Sequence, residues 1–318
     1  MKRKTVVFLL GFFLFALTGC SGKKWTEDMV FTLNYKEQQI TGTYTGDIRS
    51  GLPDGTGTFR SDETAPMKLE YEGQWEKGML KGAGELFCDQ FHVHYVDADR
   101  IGTYEGQAVD GVASGYGTFR AQNNMYDWYT YEGEWENDIF NGKGKMEYDD
   151  PFYKLREGTY VNGEFLPTAE EFYACYGTFA LLEFHPSEKA REFLKEHENL
   201  FPADTEKEAA DCTDEKILYQ ELAADPEQYG DKLFSSREFT VLQIIEETPV
   251  WGRTITSCIF TVPGEEETFA YCIYLDNLDH LKEGDTVTFY GLPLGTTSYL
   301  DQRGERIASY MFAGVWIS

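Results

Sequence analysis

Basic residues are scarce in this 318-residue chain: 28 Lys and Arg stand against 55 Asp and Glu, a formal charge of −27. The acidic excess runs through residues 40–165 and 213–318 alike, with no basic patch to interrupt it. A field of that sign opposes phosphate backbones, so nucleic acid is excluded as an expected partner and binding to anionic headgroups is disfavoured. Histidine is rare as well. The pair His92-x-His94 has strand spacing, with Asp89, Asp97 and Asp99 close in sequence, but spacing fixes no third ligand and no metal or cofactor is expected. There is no G-x-S-x-G, H-E-x-x-H or C-x-x-C, and carboxylates are too abundant to single out an acid/base couple, so no catalytic residue emerges. Long apolar runs are missing apart from Thr5 to Ala16, which is too short for an ordinary transmembrane span.

That short run sits in an informative context. Met1-Lys2-Arg3-Lys4 is a basic leader, and Leu17-Thr18-Gly19-Cys20 closes the apolar segment. The arrangement resembles a bacterial lipoprotein signal. The resemblance implies cleavage before Cys20, acylation of its thiol, and an extracytoplasmic protein held by two or more acyl chains, enough for stable anchoring. Residues 1–19 are then a signal peptide, and residues 20–30 the lipidated cysteine with a short tether.

What the chain has in abundance is a recurring skeleton of aromatic and glycine residues. Tyr44, Tyr71, Tyr104 and Tyr131 are each followed by glycine at +2, a G-x-G at +11 and +13, and an apolar residue at +15. The paired glycines are Gly55 and Gly57, Gly82 and Gly84, Gly115 and Gly117, and Gly142 and Gly144. A glycine also stands at +7 in three copies, where the fourth has Asp138. Tyr71, Gly73 and Trp75 share one face of a strand while Glu72, Gln74 and Glu76 share the other. The glycines at +7 and +11 suit the positive φ of tight turns, and Gly73 leaves room between two aromatics for a neighbouring hairpin's ring. Each copy reads as a β-hairpin, and since a lone hairpin is marginal the copies must stack into one elongated sheet.

Tyr71 to Gly84, Y-E-G-x-W-x-x-G-x-x-x-G-x-G, resembles the MORN repeat, and Tyr131 to Gly144 follows it closely. A degenerate fifth copy at Glu157 to Gly163 reads as a cap. The leading tyrosines are 27, 33 and 27 residues apart, and copies one and three differ in kind from two and four, which suggests a 60-residue pair as the unit. Tyr71, Trp75, Tyr131 and Trp135 are the candidate contact residues for a protein or cell-wall ligand; the other reading is that these rings pack hairpin on hairpin.

Beyond the array at 31–166, the texture changes. Ser187 to Leu200 has a Ser cap and an amphipathic helical pattern, Phe201 to Cys212 reads as a linker, and a helix opening at Asp214 stops near Pro226. Residues 167–212 thus form a helical connector. Five β-rich runs follow, 239–245, 254–262, 268–275, 285–292 and 307–316, suggesting a small barrel within 213–318. With Tyr219-x-x-Leu222 and Asp225-Pro226-x-x-Tyr229 in the leading helix and turn, and Glu283-Gly284-Asp285-x-Val287-x-Phe289-Tyr290-Gly291 after them, residues 214–318 resemble the OB-fold domains of Gram-positive cell-envelope proteins. That resemblance implies a ligand surface between Trp251 and Tyr274. Cys258 and Cys272 would oppose each other across a hairpin, which permits a disulfide or two buried thiols. The expected molecule is mainly β: a MORN-type hairpin sheet, a short helical connector and a five-stranded OB-like barrel. Its expected role is binding or scaffolding on the outer face of the membrane, the alternative being a glycan- or lipid-processing enzyme with a site where array meets barrel.

Overall fold

The computed structural model describes residues 22–94, 99–122, 127–150, 155–179, 184–213, 217–300 and 306–318, so the leader and Cys20 lie outside the described residues. Eleven strands form one antiparallel sheet in strict sequence order: β1 (Lys24–Tyr35), β2 (Gln38–Arg49), β3 (Leu52–Ser61), β4 (Leu69–Glu76), β5 (Met79–His94), β6 (Asp99–Val109), β7 (Val112–Gln122), β8 (Trp128–Glu136), β9 (Ile139–Tyr148), β10 (Arg156–Val161) and β11 (Glu164–Phe165). β1 begins at Lys24, inside the stretch expected to be a tether, because its residues continue the pairing with β2 as far as Ile48.

The tight turns have the positive φ at both central residues that two-residue hairpins require, as at Lys77 and Gly78 (φ 51° and 83°). In the fourth copy Asn137 and Asp138 take φ 54° and 66°. Asp138 replaces glycine with a gain: its carboxylate accepts from the Ala113 N–H at 2.8 Å and pairs with Lys36 Nζ at 2.7 Å.

Every copy contains a β-bulge beside its second-position glycine, with the register shifting between Gly73 and Trp75 in copy two and between Gly133 and Trp135 in copy four. The carbonyl of the bulge residue is taken up by the repeat tyrosine. Tyr44, Tyr71, Tyr104 and Tyr131 donate to the carbonyls of Asp47, Gln74, Gln107 and Glu134 at 2.7, 3.2, 2.6 and 2.8 Å. The two glycines of each G-x-G therefore serve different needs. Gly55, Gly82, Gly115 and Gly142 have positive φ. Gly57, Gly84, Gly117 and Gly144 lie under the tyrosine ring of their own copy, where a Cβ would come within 2.2 to 2.6 Å of it. The ring above Gly73 is likewise its own Tyr71, not a neighbouring hairpin's.

Adjacent strands lie about 4.8 Å apart, so rings on strands three apart could not meet across a flat sheet. Yet Phe31 on β1 touches Trp75 on β4, with centroids 6.1 Å apart. Lys36, in the β1–β2 turn, reaches Asp138 in the β8–β9 turn although β3 to β7 intervene. The sheet is coiled, its aromatic face turned inward. The coil repeats every 60 residues: Trp75 packs on Phe31 and Tyr44 as Trp135 does on Phe91 and Tyr104, with Tyr–Trp separations of 5.1 and 4.9 Å, although Phe91 stacks on Tyr104 where Phe31 meets Tyr44 edge-on.

After the sheet come α1 (Ala169–Phe179), α2 (Glu188–Glu196), α3 (Glu206–Asp211) and α4 (Tyr219–Ala224). Ser187 caps α2 through its side chain, accepting from the Ala190 N–H. Phe201 to Cys212 is not a free linker. Phe201, Ala203 and Ala209 are buried, Thr205 caps α3, and the Ala203 N–H donates to the Val315 carbonyl, so a segment poor in apolar residues is fixed by caps and small buried side chains. The start proposed at Asp214 lies outside the described residues, and the helix seen there begins at Tyr219.

β12 (Phe234–Val250), β13 (Arg253–Val262), β14 (Glu265–Tyr274), β15 (Thr286–Leu300) and β16 (Arg306–Ile317) close into a barrel of order β12-β13-β14-β16-β15. β14 and β16 run parallel, and β12 pairs with β15 to complete the ring. Phe234, Phe239, Phe260, Phe289 and Phe312 fill the interior. Cys258 and Cys272 stand directly opposite in the register, and both are buried free thiols. Burial pushes the Cys258 thiol up to about 12.

Candidate functional site

The residues expected to contact a ligand are spent inside. Tyr71 and Tyr131 are fully buried and Trp75 and Trp135 are 3% exposed. Their polar tips are satisfied there too, since Trp75 and Trp135 Nε1 donate to the carbonyls of Gly57 and Gly117 at 3.0 and 3.1 Å. Packing is thus the role of these four residues, and the coil that closes the aromatic face is the reason. The face left to solvent is the polar one, on which Glu72, Glu85 and Glu105 crowd together and, after burial, keep the Glu85 carboxyl above the usual range. His92 and His94 share an exposed face of β5, as their spacing requires. Among the described residues no group of three potential ligands gathers as a metal site.

At the far end of that face the sheet meets α1 and leaves a cleft of about 620 Å³. Tyr116, Glu132, Lys143, Lys145 and Glu157 line it from the strands, and Glu170, Glu171, Cys175 and Arg191 from the connector. Glu171 is its fixed point. It accepts from the N–H groups of Thr159 and Thr168 at 3.0 and 2.9 Å and from the Thr159 hydroxyl at 2.9 Å, and it pairs with the Lys143 ammonium. Burial alone would raise its carboxyl, but Lys143 and these donors outweigh that and hold it below the usual range. Gly158, with φ 154°, brings the backbone close to this side chain, where a Cβ would lie 2.8 Å from the carboxyl carbon. Glu170 pairs with Arg191 at 2.6 Å, and the Tyr116 hydroxyl donates to Glu132 at 3.0 Å. The Cys175 thiol, pushed up by burial, donates to the Glu157 carbonyl at 3.4 Å.

The outer surface of the barrel follows the same logic of occupation. Ile255, Ile259, Tyr271 and Ile273 on β13 and β14 pack with Phe172, Tyr173 and Tyr176 of α1, and the Tyr173 hydroxyl donates to the Ile273 carbonyl at 2.8 Å. Much of the Trp251 to Tyr274 surface expected to take a ligand is therefore covered by the chain's own helix. Trp251, at a turn with φ 49°, lies 5.2 Å from Phe165 of the last array strand and 5.5 Å from Phe172 of α1. Arg253 donates to the Pro167 carbonyl from Nη2 at 3.0 Å and from Nε at 3.2 Å. Rings and this clamp fill the junction, and the open space is the cleft beside it.

Helix α1 and its cleft escaped the sequence reading. The signal was present in Ala169-Glu170-Glu171-Phe172-Tyr173-x-x-Tyr176, where apolar residues recur at helical spacing behind Thr168.

Residues 44–62, 71–90, 104–126 and 131–150 match the MORN repeat. The chain carries four MORN repeats. They coincide with the four hairpin units whose tyrosines cap the bulges, and the connector and barrel lie beyond them. Comparison with curated proteins gave no match for this chain.

Proposed function

We propose that this is a lipid-anchored scaffold of the bacterial cell envelope, held at the outer face of the membrane by acylated Cys20, that binds a protein or cell-wall ligand without catalysing a reaction. MORN repeats suit a binding scaffold. The observation that carries the reading is the division of labour in the array: its repeat tyrosines and the Trp75 and Trp135 indoles are consumed internally, so the surface offered outward is the polar face ending in the α1 cleft. The charged groups of that cleft are committed to one another, with Glu171 on Lys143, Glu170 on Arg191 and Tyr116 on Glu132, an arrangement suited to recognition and not to proton transfer. The barrel is proposed to be an OB-fold, supported by its strand order and its parallel β14–β16 pair, with α1 docked on the face where such barrels take ligands. The acidity of the chain argues against nucleic acid as a partner.

Two experiments test this. A photoreactive residue at Tyr116 in the anchored protein, in its own cells, is expected to crosslink a ligand that the same residue at Leu242 on the barrel does not; equal labelling would remove the cleft from the proposal. Detergent partitioning compares wild type with Cys20→Ala, and an aqueous distribution for both would remove the anchor.

A further inference from the structure

We propose that the first strand of the array is a membrane seat, in which Trp25 and Val30 rest in the headgroup layer of the bilayer that holds Cys20. The proposal rests on the anchor reading above. Among the described residues β1 pairs with β2 alone, so it forms an edge of the sheet. Trp25 pairs opposite Asp47 and Val30 opposite Thr43, which places both on the polar face, away from Phe31 and the aromatic interior. There they are 62% and 76% exposed. On β4 and β8 the corresponding face carries Glu72, Gln74, Glu132 and Glu134, and its indole, Trp128, is 43% exposed beneath the Arg120 guanidinium. Trp25 is the more exposed of the two indoles and lies at the edge of the sheet, in keeping with the membrane–water interface, where tryptophan is enriched.

The length of intervening chain selects the lipid surface as occupant. Three residues separate Cys20 from Lys24, so the four steps between them reach at most about 14 Å even when fully extended. The headgroup layer on each side of a bilayer is about 5–7 Å deep. The start of β1 is therefore tied within or just above that layer. Its unpaired edge groups find hydrogen-bond partners there, which the hydrocarbon core would deny them. Lys23 and Lys24 flank the tryptophan, but Glu27, Asp28 and Asp47 stand close by and Lys23 lies 3.6 Å from Asp47, so charge does not set the contact. Insertion of the apolar side chains does, and the seat is insensitive to salt.

The test uses the full-length acylated protein in vesicles of phosphatidylcholine and phosphatidylglycerol containing lipid brominated near the headgroup. Flotation reports the anchor, and quenching of tryptophan emission reports the seat. Wild type is expected to float and to show about twofold more quenching than Trp25→Phe, with little change as salt is raised. Failure to float overturns the anchor and the seat together. Flotation with equal quenching in wild type and Trp25→Phe overturns the seat alone. Flotation with Trp25 shielded from aqueous iodide, no bromolipid quenching and crosslinks between copies would identify a second copy on the β1 edge as the occupant, and overturns the seat as well.

Discussion

The array and the barrel are both antiparallel-rich β-structures of similar aromatic content, but they close their cores by different means. In the array each strand pairs with its sequence neighbours and the rings that fill the core come from strands a few positions away. The barrel needs Phe234 opposite Gly291 and a parallel β14–β16 pair before any interior exists. Local closure makes the array a sum of neighbour terms, whereas distant closure makes the barrel all-or-none. Trp251 is where the two meet, packed against both cores.

The largest expected effect comes from cutting that link. Trp251→Ala removes contacts to Phe165, Phe172 and Tyr176 and should destabilise the chain by about 3 kcal/mol. Chemical denaturation is then expected to resolve into two transitions; a single unshifted transition would mean that Trp251 is not the link between the cores.

Next come the paired glycines, which separate strain from crowding. Gly82→Val forces a β-branched residue to φ 68° and should destabilise by about 1–3 kcal/mol. Gly144→Ala keeps an ordinary φ but places a methyl 2.3 Å from the Tyr131 hydroxyl, and should displace that ring. Thermal melts and near-ultraviolet circular dichroism distinguish the two, because only the second disturbs the aromatic stack. Glu76→Gln, on the polar face, is expected to leave the melting temperature nearly unchanged.

A smaller loss is expected for Tyr104→Phe, which leaves the bulge carbonyl of Gln107 without its donor at a cost of about 1–2 kcal/mol. Loss concentrated in the array, read by hydrogen exchange, is the expected pattern; uniform loss would contradict neighbour-limited stability.

The least effect is electrostatic and lies at the cleft. Because the folded Glu171 carboxyl titrates below its unfolded value of about 4.3, its contribution is present above that pH and disappears as pH falls through the folded value. Glu171→Gln should therefore lower the melting temperature at neutral pH and flatten its decline below pH 4.3. Parallel pH curves for wild type and variant would show that the carboxylate is not the tie between β10 and α1.

The repeat offsets carried the array's hairpins and the tight turns at +7 into view because glycine at a positive φ is a local requirement, whereas Gly55, Gly57, Gly82, Gly84, Gly115, Gly117, Gly142 and Gly144, read as turn glycines, lie within β3, β5, β7 and β9, where the bulge and the tyrosine ring need them. The five barrel strands were legible as β-rich runs divided by Gly, Pro and charged turns, and the opposition of Cys258 and Cys272 followed from the symmetry of the hairpin between them. Burial of Trp75 and Trp135 was not, since alternation tells which residues share a face and not that the sheet will coil over that face. The cleft was invisible because Glu171 acquires its role only when α1 lies against Thr159, a contact dictated by the barrel's outer surface and the Arg253 clamp.

The 60-residue correspondence between Phe31, Tyr44, Trp75 and Phe91, Tyr104, Trp135 makes the array a device whose length changes in steps of one size. Duplicating a stretch of 60 residues adds four strands with every ring meeting its proper neighbour. Duplicating 27 or 33 sets Ile48 or Ala108 where an indole belongs and opens a hole in the stack. Gene duplication can thus alter the distance from the first strand to the barrel in whole increments, while Trp251 meets the array at Phe165 of its last strand whatever number of hairpins precedes it.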